Sequence, residues 1–551
     1  MLTQVKPELS KIFVLLPDKD SPLWGNFIYA LLLSILTILT EQSYRVFTDG
    51  LHVNLSFNDI IEIFLFYLLI SFVGFKWLRN LVIAFYLTFS FLQMFHFSYF
   101  GAWISPIEIL LFFQKTTETF STFTSVFYLF YMPLILTIVA IILVVTLLRV
   151  PMPSKHSVVA LFLLLLLISS SVIKPAMTFN SSGSRPDFDH SMLRNSFLTI
   201  GYFFGKTLPD YVRGISHTQA YLRTPYIRED IEPKRNVVLI VGESLNVDNL
   251  SLFGYPRKTT PHLELITDEP QFIYKKAYAS GVLTDVSLPS LINMIEQPDG
   301  TEQIVHGHTN LFRMAKANGF ITHFISAQTN DDLKFVKSYL FPASIDQFFT
   351  ADSPENTGSE QHYDSILLEQ LRKIDLSKNN FIVLQQAGSH SPYKDRVPED
   401  KKYFQENNLL DEYDNTIRYS DLILSRITEY LKRRCKIPCY LVFTSNHGQA
   451  VEKNSYGHGS IDNPKHYIVP FFVYAINGQM QPQLIDDIKH SPLIGHFDIA
   501  KLTAYFLGYQ TKPFALPTRS VFVNGPELNG NSGYLQILVD SAGNVRSSRV
   551  E

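Results

Sequence analysis

The sequence predicts an amino-terminal transmembrane domain of five helices, followed by an α/β domain with a mostly parallel sheet. Three observations lead to this fold class. Long apolar segments dominate residues 1–174, whereas the remainder has the composition of a soluble domain. From Asn236 onward, apolar strands alternate with helical segments, as in a parallel sheet covered by helices. Polar side chains suited to metal binding follow several of these strands, at the edge where ligands of such sheets bind.

Composition excludes some classes of function. The chain has 551 residues and a net charge of -3, so nothing in the charge favours nucleic-acid binding. Its two cysteines, Cys435 and Cys439, are separated by three residues and have no further metal-ligand partners nearby. We expect them to form a local disulfide or to remain two free thiols.

Five apolar segments have about the 20 residues that a membrane-spanning helix needs. The first lacks a small-residue cleavage site, so a removed signal peptide is not expected. The first two segments are the shortest for a bilayer span, together with the fifth. The predicted spans are Trp24–Thr40, Ile60–Phe75, Leu81–Tyr99, Phe123–Leu148 and Ser157–Ile173.

Positive charges predict the orientation of these spans. They concentrate before the first span and in every second loop, and the alternate loops contain only Arg45 and Lys115. The positive-inside rule therefore places the amino terminus in the cytoplasm and everything after Ile173 outside, which in a bacterium is the periplasm. An enzyme that transfers a chemical group there has no access to cytosolic ATP, so we expect lipids to donate the group. The positive residues are Lys6, Lys11, Lys19, Lys76, Arg79, Arg149 and Lys155.

The loop between the third and fourth spans is amphipathic and predicts a helix along the outer membrane interface. It contains Gln114, Thr117 and Glu118. Two interpretations are open: these residues contact a lipid headgroup, or the segment is an ordinary interfacial helix.

The domain boundaries follow from these patterns. We predict a transmembrane domain over 1–174, a linker with an amphipathic helix over 175–235, a catalytic domain over 236–525 and a carboxyl-terminal tail over 526–551. The predicted strands are Val237–Val241, Ile321–Ile325, Phe381–Gln385, Tyr440–Thr444 and Tyr467–Tyr474. The predicted helices are Leu288–Ile295, Asn310–Ala317, Asp364–Ile374, Asn415–Lys432 and Asp498–Leu507.

The polar residues after the strands fit metal-assisted phosphoryl transfer, which needs a cation, an activated nucleophile and His or carboxylate ligands. Glu243 follows the apolar run NVVLIVG, and His390 and His447 end GSH and SNH. Thr284 precedes an apolar helix, where the free amides favour negative charge, and His458 lies between glycines.

Each of these residues also has a simpler interpretation. In this interpretation, Glu243 is a solvated acid that caps a turn. Thr284 is then the cap of a helix. Ser280 or Ser287 is an alternative nucleophile. Gly-flanked histidines often occupy turns without binding anything.

Several motifs together resemble the phosphoethanolamine transferases of the alkaline phosphatase superfamily, whose members modify lipid A and confer polymyxin resistance. The motifs are NVVLIVGESLNVDNLSLFGYPRKTTPHL, GSHSPY, EYDNTIRYSD, TSNHGQ and YGHGS. The resemblance covers the whole chain and implies five membrane helices, a linker and a periplasmic sulfatase-like domain.

The resemblance also implies roles for individual residues. Zinc, as one or two ions, would be bound by Glu243, Thr284, Asn446 and His447. Thr284 would carry phosphoethanolamine as a phosphothreonine. His390 and His458 would hold phosphate or a second metal. One of these two histidines would act as an acid towards the leaving group.

Two departures from the family pattern concern the metal and the acceptor. The family's Asp-His-Gly-Glu is replaced by Asn446, His447, Gly448 and Gln449. An uncharged Asn should lower the affinity for zinc and the activation of the hydroxyl. The disulfide cysteines and the Thr-Ser-Thr-Ala signature of the lipid A branch are also absent, which favours an acceptor such as lipopolysaccharide core sugar or periplasmic glucan.

The predicted function is an inner-membrane, metal-dependent phosphoethanolamine transferase that uses phosphatidylethanolamine and an envelope glycan or lipid acceptor. One alternative is a phosphoglycerol transferase or a sulfatase-like hydrolase. Another is a pseudoenzyme with impaired metal binding that kept a binding or sensing role.

Overall fold

The structure is a computed structural model. It describes residues 22–48, 55–149, 155–177, 190–229, 234–354, 363–405, 407–452, 455–514, 520–540 and 542–550. Lys6, Lys11 and Lys19, on which part of the orientation argument depends, lie outside the described residues. The chain forms two compact units, one comprising the residues up to Ile215 together with Ser455, and the other Ser216–Glu452 and Tyr456–Glu551.

The first unit is helical. Within the part of this unit that the structure describes, four helical segments are long and apolar enough to cross a membrane: Leu23–Phe47, Lys76–Phe100, Phe127–Arg149 and Val158–Met177. The helix at the second predicted span has 15 residues and would rise about 22 Å, against the roughly 30 Å of a bilayer core. The number of five crossings therefore stays a prediction. The helices are Pro22–Phe47, Phe57–Ser71, Lys76–Phe100, Pro106–Gln114, Thr116–Ser125, Tyr131–Arg149, Val158–Met177, Met192–Tyr202 and Leu208–Arg213, and a π-helical turn at Phe203–Thr207 joins the last two.

A buried ionic cluster joins three helix ends of this unit. Arg45 pairs with Glu41 at 2.9 Å, and both side chains are buried. The backbone N–H of Met192 donates to Glu41 Oε1 at 2.9 Å, and that of Ser191 donates to Asp59 Oδ1 at 3.1 Å. Each buried carboxylate thus has a donor, and the cluster fixes the start of the helix at Met192 to the end of the first helix.

A seven-stranded sheet forms the centre of the second unit. Its strands are β1 Asn236–Gly242, β2 Phe272–Tyr278, β3 Ile321–Ser326, β4 Gln347–Phe349, β5 Asn380–Gln385, β6 Cys439–Ser445 and β9 Ile468–Ile476. They are arranged in the order β2-β9-β6-β1-β5-β3-β4. Strand β9 runs antiparallel to both neighbours, whereas the pairs among β6, β1, β5, β3 and β4 are parallel. The mostly parallel sheet is therefore confirmed.

The central strand β1 is buried along its whole length. Its run of Val, Leu and Ile suits a strand that is covered by side chains on both faces. The helices of this unit are Pro261–Glu264, Thr284–Ile292, Thr301–His306, Leu311–Ala317, Ser365–Leu371, Leu409–Arg434, Pro482–His490 and His496–Phe506.

The sequence analysis missed β2 and β4 of the seven-stranded sheet and two further groups of strands. One is the short pair β7 Ala450–Glu452 and β8 Ser455–Gly457. The other is an antiparallel sheet of β10 Ser520–Asn524, β11 Tyr534–Val539 and β12 Val545–Val550. The segment predicted as a tail thus contributes two strands of this sheet. Cys435 and Cys439 are both buried and both free thiols, which decides between the two expectations for this pair.

Candidate functional site

The ends of three adjacent strands build the candidate site. In the sheet, β1 lies between β6 and β5, with Gly242 opposite Ser445 and Val241 opposite Gln385. Beyond these positions the backbone N–H of Asn446 donates to Gly242 O at 2.9 Å. Residues that are 203 positions apart in sequence therefore meet, and Asn446 lies beside Glu243.

Glu243 is completely buried, and polar side chains surround its carboxylate. Ser244 Oγ donates to Oε1 at 2.9 Å, and His447 Nε2 lies 3.3 Å from the same oxygen. Asn446 Nδ2 and Gln328 Nε2 donate to Oε2 at 2.6 and 2.8 Å. This environment is incompatible with the alternative of a solvated acid that caps a turn.

Thr284 is the first residue of the helix Thr284–Ile292, and Leu283 occupies the N-cap without a side-chain hydrogen bond. The Thr284 hydroxyl therefore does not serve as the helix cap. It accepts a hydrogen bond from Asn446 Nδ2 at 2.8 Å and lies 3.3 Å from His447 Nε2 and 3.4 Å from Glu243 Oε2.

The two alternative nucleophiles lie in other environments. Ser280 contacts His496, with its Oγ 3.3 Å from the imidazole Nδ1. Ser287 is completely buried, and its hydroxyl has no hydrogen-bond partner among the described residues. Among the three hydroxyls, that of Thr284 is the one bonded to the groups at the strand ends.

Three histidines form a row next to Thr284. His447 Nδ1 donates to Gly448 O at 2.9 Å, which leaves the lone pair on Nε2, the atom nearest the Thr284 hydroxyl. His458 stacks on His447 with ring centroids 4.1 Å apart, and His390 lies 5.8 Å from His458. The structure thus brings together the residues of the soluble domain that were predicted to be catalytic or to bind metal: Glu243, Thr284, His390, Asn446, His447 and His458.

The remaining predicted contacts lie in the other unit. Gln114 is the last residue of the helix Pro106–Gln114 and is half-buried, whereas Thr117 and Glu118 are exposed in the first turn of Thr116–Ser125. A role in lipid binding stays a prediction for these residues.

Side chains from outside the predicted motifs hold the site in place. Tyr413 Oη donates to Ser244 O at 2.7 Å and accepts from Asn246 N–H at 3.2 Å, so it fixes the turn that carries Glu243. Gly388 has φ +48°, and a Cβ there would lie 2.9 Å from Glu243 Cβ. Only a glycine lets this loop pack so closely on the acid.

Two buried titratable groups support the loops. Burial raises the pKa of Asp364 to about 6, although the carboxylate accepts hydrogen bonds from Ala387 and Gly388 N–H. Burial lowers the pKa of His496 to about 4. His496 Nε2–H donates to Ser445 O at 3.0 Å, and Nδ1 accepts from Ser280 N–H at 3.3 Å. The neutral imidazole thus joins the end of β6 to the loop before Thr284.

Sequence reasoning missed Gln328, Asp364, Tyr413 and His496. Gln328 follows β3, so the rule that selected Glu243 and His447 would also have selected it. Tyr413 lies in the motif EYDNTIRYSD, to which no individual role was given. Asp364 and His496 carried no comparable signal, because each acts through backbone groups of distant loops.

The four predicted zinc ligands meet, but the atom that Asn446 turns towards the other three does not fit a cation. Asn446 Oδ1 accepts from the backbone N–H groups of Ser244 and His447, at 3.1 and 2.7 Å. Its Nδ2, which carries protons and no available lone pair, points at Glu243 and Thr284. Within the described ranges, no group of three or more His, Cys, Asp and Glu residues is placed to hold a metal ion.

Comparisons with known proteins agree on the type of domain. A model of the sulfatase family matches residues 235–505. The putative transferase YhbX of Escherichia coli K12 is 28% identical over 337 residues, which are 59% of each chain. The phosphoethanolamine transferase EptA of Helicobacter pylori is 29% identical over 258 residues, 43% of this chain and 47% of that protein. The matched region thus spans about half the length of these curated relatives.

A solved structure matches beyond the soluble domain. The integral membrane protein lipooligosaccharide phosphoethanolamine transferase A (EptA) from Neisseria meningitidis has a TM-score of 0.61 and covers 88% of this chain and 96% of its own. At 17% identity this likeness shows the fold, apolar helices followed by an alkaline-phosphatase-like domain. Residues 235–505 thus form a domain of the sulfatase family, and the chain is similar to curated phosphoethanolamine transferases.

Proposed function

We propose that this chain is a bacterial inner-membrane transferase with its catalytic domain in the periplasm. It moves phosphoethanolamine from phosphatidylethanolamine to an envelope glycan or lipid, such as lipid A, lipopolysaccharide core or a periplasmic glucan. The observation that carries the proposal is the Thr284 hydroxyl, which is within hydrogen-bond distance of Asn446, His447 and Glu243. A hydroxyl beside an imidazole lone pair is the arrangement of an activated nucleophile.

In the first step, Thr284 Oγ1 attacks the phosphorus of the donor lipid. His447 Nε2, 3.3 Å away, takes the hydroxyl proton as general base. The bond from phosphorus to the diacylglycerol oxygen breaks, and His458 or His390 protonates this leaving oxygen. The products are phosphoethanolamine on Thr284 and free diacylglycerol.

In the second step, a hydroxyl of the acceptor attacks the phosphothreonine. The proton of that hydroxyl passes to the histidine that protonated diacylglycerol, and His447 returns its proton to Thr284 as the threonine leaves. The enzyme is then restored. Zinc was expected from the family resemblance, but no step here depends on a metal, because the donor atoms at Asn446 do not fit one.

The test is the intact mass of the full-length protein in detergent, after incubation with phosphatidylethanolamine. We expect a gain of one phosphoethanolamine that Thr284→Ala abolishes. Ser287→Ala is the matched control, because it removes a buried hydroxyl from the same helix without touching the cluster. A gain that persists in Thr284→Ala would contradict the assignment of the nucleophile.

Phosphatidylglycerol provides the second arm of the experiment. A gain of phosphoglycerol, with none from phosphatidylethanolamine, would identify a phosphoglycerol transferase instead. In a third arm, the protein is incubated with phosphatidylethanolamine and then with lipid A as the acceptor. Transfer to lipid A is detected because the protein loses the mass that phosphoethanolamine had added to Thr284.

A second candidate function is favoured by one observation. Asn446 and Gln449 are uncharged, and both side chains are engaged in hydrogen bonds within the protein. A protein that binds a phospholipid headgroup without transferring it would have this site. It would bind phosphatidylethanolamine vesicles in a flotation assay and show no gain in mass.

A further inference from the structure

We propose that the side-chain amide of Asn446 replaces a divalent cation in this site, so that the native chain holds no zinc between Glu243 and Thr284. The amide lies 2.6 Å from Glu243 Oε2 and 2.8 Å from Thr284 Oγ1. It therefore bridges the acid and the hydroxyl by two hydrogen bonds, at the place where a metal would bridge them by coordination.

The orientation of the amide is fixed by its other end. Asn446 Oδ1 accepts from two backbone N–H groups, which can only donate. Turning the amide over would place its NH₂ against both of these donors and its oxygen 2.6 Å from a carboxylate oxygen. Both of these hydrogen bonds and the bond to Glu243 would be lost, and two buried donors would be left unpaired, so the observed orientation is strongly preferred.

Glu243 also lacks the capacity to bind a cation through Oε2. A carboxylate oxygen has about two lone-pair positions, and two amide groups already occupy those of Oε2. The second of these groups is Gln328 Nε2, at 2.8 Å, which is an observation independent of Asn446. Oε1 accepts from Ser244 Oγ and faces His447.

The charge of the cluster leads to the same conclusion. The Asn446 and Gln328 amides and the Thr284 hydroxyl are neutral, so Glu243 is the one anionic side chain among these groups. With an aspartate at position 446, two carboxylates would face each other at hydrogen-bond distance, and a cation would be needed between them.

The effect of the Asn446 amide on catalysis rests on the proposed function. An N–H that already donates to Thr284 Oγ1 would stabilise the negative charge that develops on this oxygen when phosphothreonine breaks down. We therefore expect transfer to continue in the presence of a chelator.

The test of the metal assignment does not involve turnover. The full-length protein is purified, incubated with excess zinc and passed over a desalting column, and its zinc content is measured by plasma mass spectrometry. We expect the native chain to retain well below one zinc ion per chain and Asn446→Asp to approach one. Asn407→Asp is the control, because it adds the same charge at an exposed position.

Each outcome decides the proposal. A native chain that retains one zinc ion, removed by a chelator and absent from Glu243→Gln, overturns it whatever the variant at position 446 does. If neither the native chain nor Asn446→Asp holds zinc, Asn446 is not what excludes the metal and its assigned role is wrong. A metal-free native chain that still forms phosphothreonine supports both proposals, whereas one that forms none removes only the proposed function.

Discussion

The imidazole of His458 stacks on that of His447, with ring centroids 4.1 Å apart and ring planes inclined by 29°. His458 Nδ1–H donates to Gln449 Oε1 at 2.7 Å, which fixes the ring in this position. The stack places a second titratable group directly beside the predicted general base, and the two histidines can serve the entering and the leaving oxygen separately.

We therefore predict that His458→Ala slows formation of the phosphothreonine by about 100-fold or more, the usual contribution of a general acid. The rate of mass gain with phosphatidylethanolamine measures this effect. His490→Ala, on an exposed helix end, is the control and should keep the native rate. An unchanged rate in His458→Ala would exclude His458 as the acid and leave His390.

Tyr413→Phe should destabilise the soluble unit by about 1–3 kcal/mol, because Ser244 O and Asn246 N–H each lose a buried partner. Thermal unfolding of the full-length protein in detergent tests this prediction. Tyr430→Phe is the matched control, since Tyr430 lies on the same helix and is only half-buried. Equal effects of the two substitutions would contradict a specific role for the Tyr413 hydroxyl.

Gly448→Ala should displace the loop that carries His447. A Cβ at this position would lie 2.1 Å from the backbone oxygen of Lys465, a distance that no side-chain adjustment can relieve. We expect loss of phosphothreonine formation together with a lower melting temperature. At Gly478, where the added carbon would lie 3.1 Å from Pro438 Cβ, the same substitution should have a much smaller effect. Native activity in Gly448→Ala would show that the loop accommodates the change.

The stabilising contribution of His496 should depend on pH. Burial holds its folded-state pKa at about 4, below the unfolded value of about 6.5, so the unfolded chain binds the extra proton between these values. Its contribution is therefore complete above pH 6.5 and is lost as the pH falls towards 4, by up to about 3 kcal/mol.

The difference in stability between the native protein and His496→Gln isolates this effect. It should be largest at pH 7 and narrow steadily towards pH 4.5 in thermal unfolding experiments. The exposed His490→Gln should give a small difference that does not change in this way. A difference in stability between the native protein and His496→Gln that stays constant from pH 7 to pH 4.5 would contradict a buried neutral imidazole.

The parallel core of the sheet could be predicted because its strands are apolar throughout. β1, β5 and β6 are buried over nearly all of their length, and burial on both faces demands the runs of Val, Ile, Leu and Phe that the sequence contains. The residues that follow these strands were therefore predicted to meet, and they do. The antiparallel direction of β9 was not predictable, because an apolar run has the same pattern in a parallel and in an antiparallel strand.

The missed elements lack such a pattern. β2 has the sequence FIYKKAY, in which two lysines occupy exposed or half-buried positions, and β12, VRSSRV, is exposed along almost its whole length. The helix Leu409–Arg434 begins six residues before its predicted start at Asn415, and its first turn contains Asp411 and Glu412. Asn408 caps it by accepting from Asp411 N–H.

The orientation of the Asn446 amide also lay beyond sequence reasoning. The substitution in the family motif predicted weaker metal binding through a carbonyl oxygen. Which end of the amide faces Glu243 depends on two backbone N–H groups, and one of these belongs to Ser244, whose φ of 58° is rare for a residue other than glycine.

One face of the helix Leu409–Arg434 reaches both loops that surround Glu243. Tyr413 bonds to Ser244 O, while Thr416 and Ser420 bond to Ser389 and Gln386 in the loop after β5. Opening of this helix would release both loops at once. Their backbone amides should consequently exchange with deuterium as one cooperative unit, at a rate set by the helix rather than by either loop.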